Sequence, residues 1–175
     1  MTFRFDDVCI NADMNLIDEM TDFLLKKFSG QIIYGISPLV HKECGQRVYP
    51  AIFNAYSDIK NFYKPTACGL PRLRYDVIFA GHGLLHCDHR LLTKEIQELS
   101  ILSSCSLVGA EMFIPPFNKW NKDTEDICRQ NGIRLIKFEN GWLSAEHNKW
   151  NEQHLYWYLH ARQWTMESFK AWFDK

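Results

Sequence analysis

The chain has 175 residues, enough for one domain with a sizeable core and too few for two comfortable ones, so residues 1–175 are read as a single domain. Hydrophobic residues make up 46% and charged residues 23%, which excludes a disordered chain, and a formal net charge of -1 excludes a general attraction to nucleic acid or anionic membrane. No stretch approaches a membrane span, and the run Met-Thr-Phe-Arg-Phe-Asp-Asp lacks the cationic and apolar regions of a secretion signal, so a cytoplasmic protein is expected.

Short apolar runs alternate with amphipathic segments about six times, the signature of an α/β domain with a mainly parallel sheet. A first strand, Phe3 to Phe5, ends at Asp6-Asp7. Leu16, Ile17, Met20, Phe23, Leu24 and Phe28 then recur at helical spacing, with Gly30 as the stop. Gln31 to Ile36 reads as the second strand, and Ser37-Pro38 opens a polar loop carrying His41 and Cys44. Ile52, Phe53, Tyr56, Ile59 and Phe62 predict a helix. Tyr75 to Ala80 forms the third strand and runs into Gly81-His82. Asp88 is the expected cap of a helix through Leu91, Leu92, Ile96 and Leu99.

Leu107 to Pro115 reads as a strand or a pair of strands, stopped by Pro115-Pro116. Asp123, Glu125 and Asp126 load the first turn of a helix closing at Asn131-Gly132, and Ile133 to Phe138 alternates like a strand. Leu155 to Leu159 is the last strand, ending in His160, with Thr165 capping a helix to Phe173. The six tryptophans fall between Trp120 and Trp172; aromatic faces stack on sugars, but the core is their commoner place. The six cysteines have no C-x-x-C spacing and several lie in apolar runs, so reduced thiols are expected rather than a zinc ribbon or a disulfide framework.

The chemically capable residues cluster at strand ends: Asp6-Asp7, His82, Pro115-Pro116, Glu139 and His160. In parallel α/β folds those ends share one rim, where active sites are assembled. His82-Gly-Leu-Leu-His86 places two imidazoles four residues apart, so on a helical turn both face one side and suit one metal ion; two surface histidines are the plainer alternative. His89 is a further candidate ligand or a partner supporting one, with an exposed residue near a helix start as the plainer alternative. Adjacent carboxylates after a hydrophobic strand need compensation, and they suit a division of labour in which one holds a metal and the other takes a proton from its water. A histidine at position 160 suits protonation of a leaving amine, or a hydrogen-bonded structural role.

In this order the motifs resemble those of the polysaccharide deacetylase family. Phe5-Asp6-Asp7 is similar to its T-F-D-D motif, with Arg4 in place of Thr. His82-Gly-Leu-Leu-His86 is similar to H-[S/T]-x-x-H, and Phe113-Ile-Pro-Pro-Phe117 to the third motif, aromatic-Arg-x-Pro-aromatic. Gly141-Trp142 stands for the fourth and Leu159-His160 for the fifth. The resemblance implies a distorted, incomplete (β/α) barrel of about six or seven mostly parallel strands, and a metal-dependent hydrolase that removes an acetyl group from an N-acetylated sugar or glycan precursor. It assigns Asp6 as base, His160 as acid, Asp7, His82 and His86 as ligands of a divalent metal, zinc first, and Pro116, Phe117, Asn118 and Trp142 as the substrate wall. Ile114 occupies the place where the family carries an Arg that pairs with the base, leaving Arg4, Arg90 or Arg162 to supply that charge. At 175 residues the chain is short for the fold. A catalytically impaired sugar-binding homologue and a deacylase of a non-sugar amide or ester are the alternative functions; oligomeric state is left open.

Overall fold

The structure is a computed structural model and describes residues 1–9, 12–38, 76–84 and 86–174. The loop with His41 and Cys44 and the helix expected around Ile52 to Phe62 lie outside the described residues. Among the described residues the strands are β1 (Thr2–Val8), β2 (Gln31–Ile36), β3 (Val77–Gly81), β4 (Met112–Phe113), β5 (Arg134–Leu135), β6 (Leu143–Ser144) and β7 (Tyr156–His160). They form one seven-stranded sheet in the order β5-β4-β3-β2-β1-β7-β6, with every pairing parallel. The expected incomplete (β/α) barrel is therefore present, curled rather than closed. Its two edge strands have only two residues each, which keeps the unpaired backbone short.

Four helices cover the sheet among the described residues: α1 (Met14–Lys27), α2 (Lys94–Val108), α3 (Lys122–Gln130) and α4 (Met166–Trp172). Alternation along β1 sorts its side chains. Phe3 and Phe5 join Ile17, Met20 and Leu24 of α1 and Phe169 and Trp172 of α4 in the outer core. Arg4 and Asp6, one residue out of phase, belong to the other face, where Ile33, Ile114 and Trp142 form a smaller inner cluster. Four of the tryptophans serve this packing: Trp150 lies against Phe3, Phe28, Trp157, Trp172 and Phe173, and Trp164 against Phe169 and Trp172.

Three segments depart from the sequence reading. Asp88 caps a short 3-10 turn at His89–Leu91, and α2 starts afterwards, behind Thr93. α2 then runs through Leu107 to Val108 and stops where Gly109 takes φ 62, so the strand expected from Leu107 shrinks to Met112–Phe113. β6 was hidden because two residues carry no period. Gly81, at the end of β3, lets α2 approach: a Cβ there would lie 2.7 Å from Cys105 Sγ and Ser104 Oγ.

Cys87, Cys105 and Cys128 are free and buried, and burial pushes their thiols up to about 12, 11 and 12. Cys9 is disulfide-bonded, which departs from the expectation of reduced thiols throughout. No described helix is long and apolar enough to cross a membrane.

Candidate metal centre

β1 delivers both of its carboxylates to one place through a backbone irregularity. Successive strand residues normally point to opposite faces. Asp7, however, has φ 58, and the β1–β2 register shifts between Phe5 and Val8. This bulge re-aims the chain, so Asp6 and Asp7 line the same cavity. A left-handed aspartate is strained by about 1 kcal/mol, a cost typical of functional sites.

His82 follows β3 directly. Its backbone N–H donates to Ile36 O at 2.8 Å and its carbonyl accepts from Ser37 Oγ at 2.7 Å, which extends the ladder to the ligand itself. The helical turn expected for His82 to His86 is absent, because Gly83 takes φ 76 and breaks it. The two rings still converge, with centroids 4.9 Å apart. Ser100 of α2 secures this loop by accepting from Leu84 N–H at 3.0 Å.

Asp7, His82 and His86, all buried, present ligand atoms within 4.8 Å of one another. His82 Nε2 lies 3.2 Å and His86 Nε2 2.8 Å from Asp7 Oδ1. His82 Nδ1 sits 2.8 Å from Ile114 O, a carbonyl that can only accept, so Nδ1 carries the proton. In the neutral ring Nε2 then points a lone pair at a carboxylate oxygen. Where both rings are neutral, acceptors face each other in a buried site, an arrangement that a cation between them satisfies, and a carbonyl behind a ligating imidazole is the usual orienting partner. The residues therefore fit a divalent metal. Where the rings are protonated instead, they stand in for the cation: burial opposes ionisation of Asp7, but hydrogen bonds and charge from His82 and His86 outweigh it and hold the carboxyl well below the usual range. Burial pushes His86 below the ordinary imidazole value, towards the neutral form that binds metal.

The cavity has a volume of about 380 Å³ and is lined by Asp6, Asp7, His82, His86, Phe117, Asn118, Lys119, Tyr158, His160 and Arg162. Asp6 and His160 are register partners on β1 and β7. Asp6 Oδ2 accepts from Arg4 Nη2 at 2.7 Å, while Oδ1 has no hydrogen-bond partner among the described residues. His160 Nε2 is 3.8 Å from Asp7 Oδ2, and its Nδ1 is 3.4 Å from Glu146 Oε1. Burial opposes its protonation, but Glu146, Asp6 and Asp7 together raise His160 above the ordinary value. Arg162 Nη1 stands 3.0 Å from Asp7 Oδ2 at the half-exposed rim.

Of the expected substrate wall, Phe117 and Asn118 line the cavity. Both have positive φ, 58 and 53, and this kink after Pro115-Pro116 lays the Phe117 ring 4.4 Å from His86. Pro116 is buried behind them, and Trp142 lies over the Arg4 guanidinium at 4.8 Å, outside the cavity lining.

Two residues at or beside the site, Glu146 and Gly35, escaped sequence reasoning, and a third, His89, is placed differently from the exposed position weighed for it. Glu146 accepts from the His160 backbone N–H at 2.5 Å and from Ser144 Oγ at 2.6 Å, and is held down to about 2 despite burial that opposes its ionisation. It lies in a stretch without periodicity. Gly35 lies beneath the site, where a Cβ would come 3.2 Å from Ile114 Cδ1 and 3.3 Å from Asp6 Oδ1; a lone glycine inside an apolar strand was the signal for such an approach. His89 is fully buried rather than exposed, with Nε2 3.2 Å from Ser100 Oγ. Burial holds it down to about 3. The unfolded chain takes up this proton near 6.5 and the folded one only near 3, so stability should decline as pH falls through that window, by about 1.4 kcal/mol per unit. His89→Leu is expected to flatten that limb in denaturant titrations between pH 6.5 and pH 4.

Fold and site together define a curled half-barrel of parallel strands with a two-histidine, one-aspartate cluster at its carboxyl rim. No family model and no curated protein matches the sequence. Solved structures do. The chain is similar to a family 4 carbohydrate esterase from Streptomyces lividans in complex with acetate, with a TM-score of 0.52 and 12% identity over 99% of this chain and 83% of that one. It is similar to a pseudoenzyme of that family from Bacillus anthracis, with a TM-score of 0.57 and 8% identity over 99% of this chain and 58% of that one. A third likeness is to the chitin deacetylase of the fungal pathogen Colletotrichum lindemuthianum, with a TM-score of 0.51 and 10% identity over 98% and 81%. At these identities the likeness establishes the fold, which is the one the sequence motifs implied.

Proposed function

We propose that the protein is a metal-dependent hydrolase that removes the acetyl group from an N-acetylated sugar or glycan precursor. The observation that carries this reading is the convergence of the buried Asp7, His82 and His86, with both Nε2 atoms close to Asp7 Oδ1 and Ile114 O behind the His82 ring. Asp7, His82 and His86 would hold a divalent cation, zinc first among them; when bound it supplies Lewis-acid polarisation of the acetyl carbonyl and acidification of water. Asp6 Oδ1, without a partner among the described residues, accepts the proton of the attacking water. His160, whose pKa Glu146 and the two aspartates raise against the opposing effect of burial, donates its proton to the nitrogen as the C–N bond breaks, so that amine and acetate leave. Phe117 and Asn118 form the wall against which the sugar is seated.

The likeness to a pseudoenzyme and the Ile114 substitution favour one second reading, a sugar-binding protein without turnover. Acetate release from a panel of N-acetylated sugars, O-acetyl esters and simple amides separates the readings. Release confined to N-acetyl sugars and abolished by a chelator is expected; bound metal with no release from any substrate supports the binding protein, and release from esters or non-sugar amides alone moves the activity to another substrate class.

A further inference from the structure

We propose that Arg4 is the positioning residue of the candidate base, and that Trp142 and Tyr158 act as its clamp. This rests on the hydrolase reading. Arg4 and Asp6 are two residues apart on β1, so both side chains leave the same face of the strand. Arg4 is 0% exposed, and its guanidinium carbon lies 4.8 Å from the Trp142 ring centroid and 5.0 Å from that of Tyr158. Two aromatic faces of this kind hold a cation in plane and offset part of its desolvation.

The hydrogen bonds go to the cavity. Arg4 Nη2 donates to Asp6 Oδ2 at 2.7 Å and to Asn118 Oδ1 at 2.7 Å, while Nε and Nη1 have no hydrogen-bond partner among the described residues. A buried guanidinium that leaves two of its nitrogens unused is a poor investment in stability alone, since a buried ion pair is repaid only when its donors are satisfied. What it achieves is orientation. With Oδ2 engaged, Oδ1 is the oxygen of Asp6, a residue lining the cavity, that is left without a hydrogen-bond partner among the described residues. Through Asn118 the same nitrogen anchors the left-handed turn that sets Phe117 on His86. The third-motif wall has no cation to offer, because the Ile114 side chain is core and its carbonyl is occupied by His82. β1 supplies the charge from inside the sheet. Trp142 then contributes by holding Arg4 rather than by stacking on sugar, in keeping with its 5% exposure.

The test uses zinc-loaded full-length protein and the variants Arg4→Met, Arg4→Lys, Asn118→Ala and Trp142→Leu, each followed for bound zinc, KM and kcat. Arg4→Met is expected to keep its zinc and a KM within about threefold, while kcat falls about 100-fold; Arg4→Lys recovers part of that loss as a point charge. Trp142→Leu and Asn118→Ala, which leave the charge in place, are expected to lower kcat about tenfold and decide the matter if Arg4→Met does not fold. Independently of turnover, the thermal midpoint lost in Arg4→Met should be partly recovered in Arg4→Met with Asp6→Asn, since the second change removes the stranded carboxylate. An active protein whose Arg4→Met, or whose Trp142→Leu and Asn118→Ala, keep kcat within threefold overturns the proposal, as does a loss of kcat in proportion to lost zinc. A wild-type protein that hydrolyses no acetylated substrate overturns the hydrolase reading and this one with it.

Discussion

Asp7→Asn is expected to fold normally and to lose its metal. Asparagine tolerates the left-handed backbone at φ 58 as well as aspartate does, so the bulge in β1 survives. The anionic oxygen that faces both His82 Nε2 and His86 Nε2 does not. Changes in residues that merely orient a ligand weaken metal binding about 10- to 100-fold, so replacing the only anionic ligand should cost about 100-fold or more in affinity. Zinc titration monitored by calorimetry reads this directly, and acetate release should fall in parallel. Removing the carboxylate also removes the group that holds Arg162 at 3.0 Å, so the rim should loosen while the core does not.

Asp6→Asn and His160→Ala are expected to separate chemistry from metal binding. Neither belongs to the ligand cluster, so both variants should keep their zinc. Loss of a positioned base or acid lowers kcat by about 100- to 10,000-fold. Their pH behaviour differs in sign. His160 must be protonated to act, so activity disappears as pH rises through its pKa, and because that pKa is raised the alkaline limb lies above the ordinary histidine value. Glu146→Gln withdraws one of the charges that raise it and should move the alkaline limb to lower pH, with zinc content unchanged. A limb that stays in place in Glu146→Gln removes His160 from the role of acid.

Much of this arrangement is legible in the sequence because it depends on local patterns. The alternation of Phe3, Arg4, Phe5 and Asp6 sorts β1 into an apolar face and a charged one, and apolar runs ending in Asp7, His82 and His160 place three groups on one rim of a parallel sheet. The convergence of the two histidines does not need the helical turn: His82 and His86 meet through a loop bent at Gly83.

What stayed hidden depends on partners far away in the chain. Asn118 reaches Arg4 across 114 positions, and nothing near either residue announces the pairing. Glu146 meets His160 only because β6 and β7 are neighbours, and β6 is too short to carry a period. The helix that overran Leu107 shows the same limit, since its end is set by Gly109 rather than by the apolar run that follows.

Two segments distant in the chain, the end of β1 with Asp7 and the loop from His82 to His86, are proposed to enclose one ion. Metal analysis of the purified protein beside His82→Ala tests this most directly. Close to one divalent ion per chain is expected in the wild type, removable by a chelator and restored by zinc, and little or none in His82→Ala at equal folded content. A wild-type chain that takes up no divalent metal, or a His82→Ala variant that binds it as tightly, would contradict the proposal.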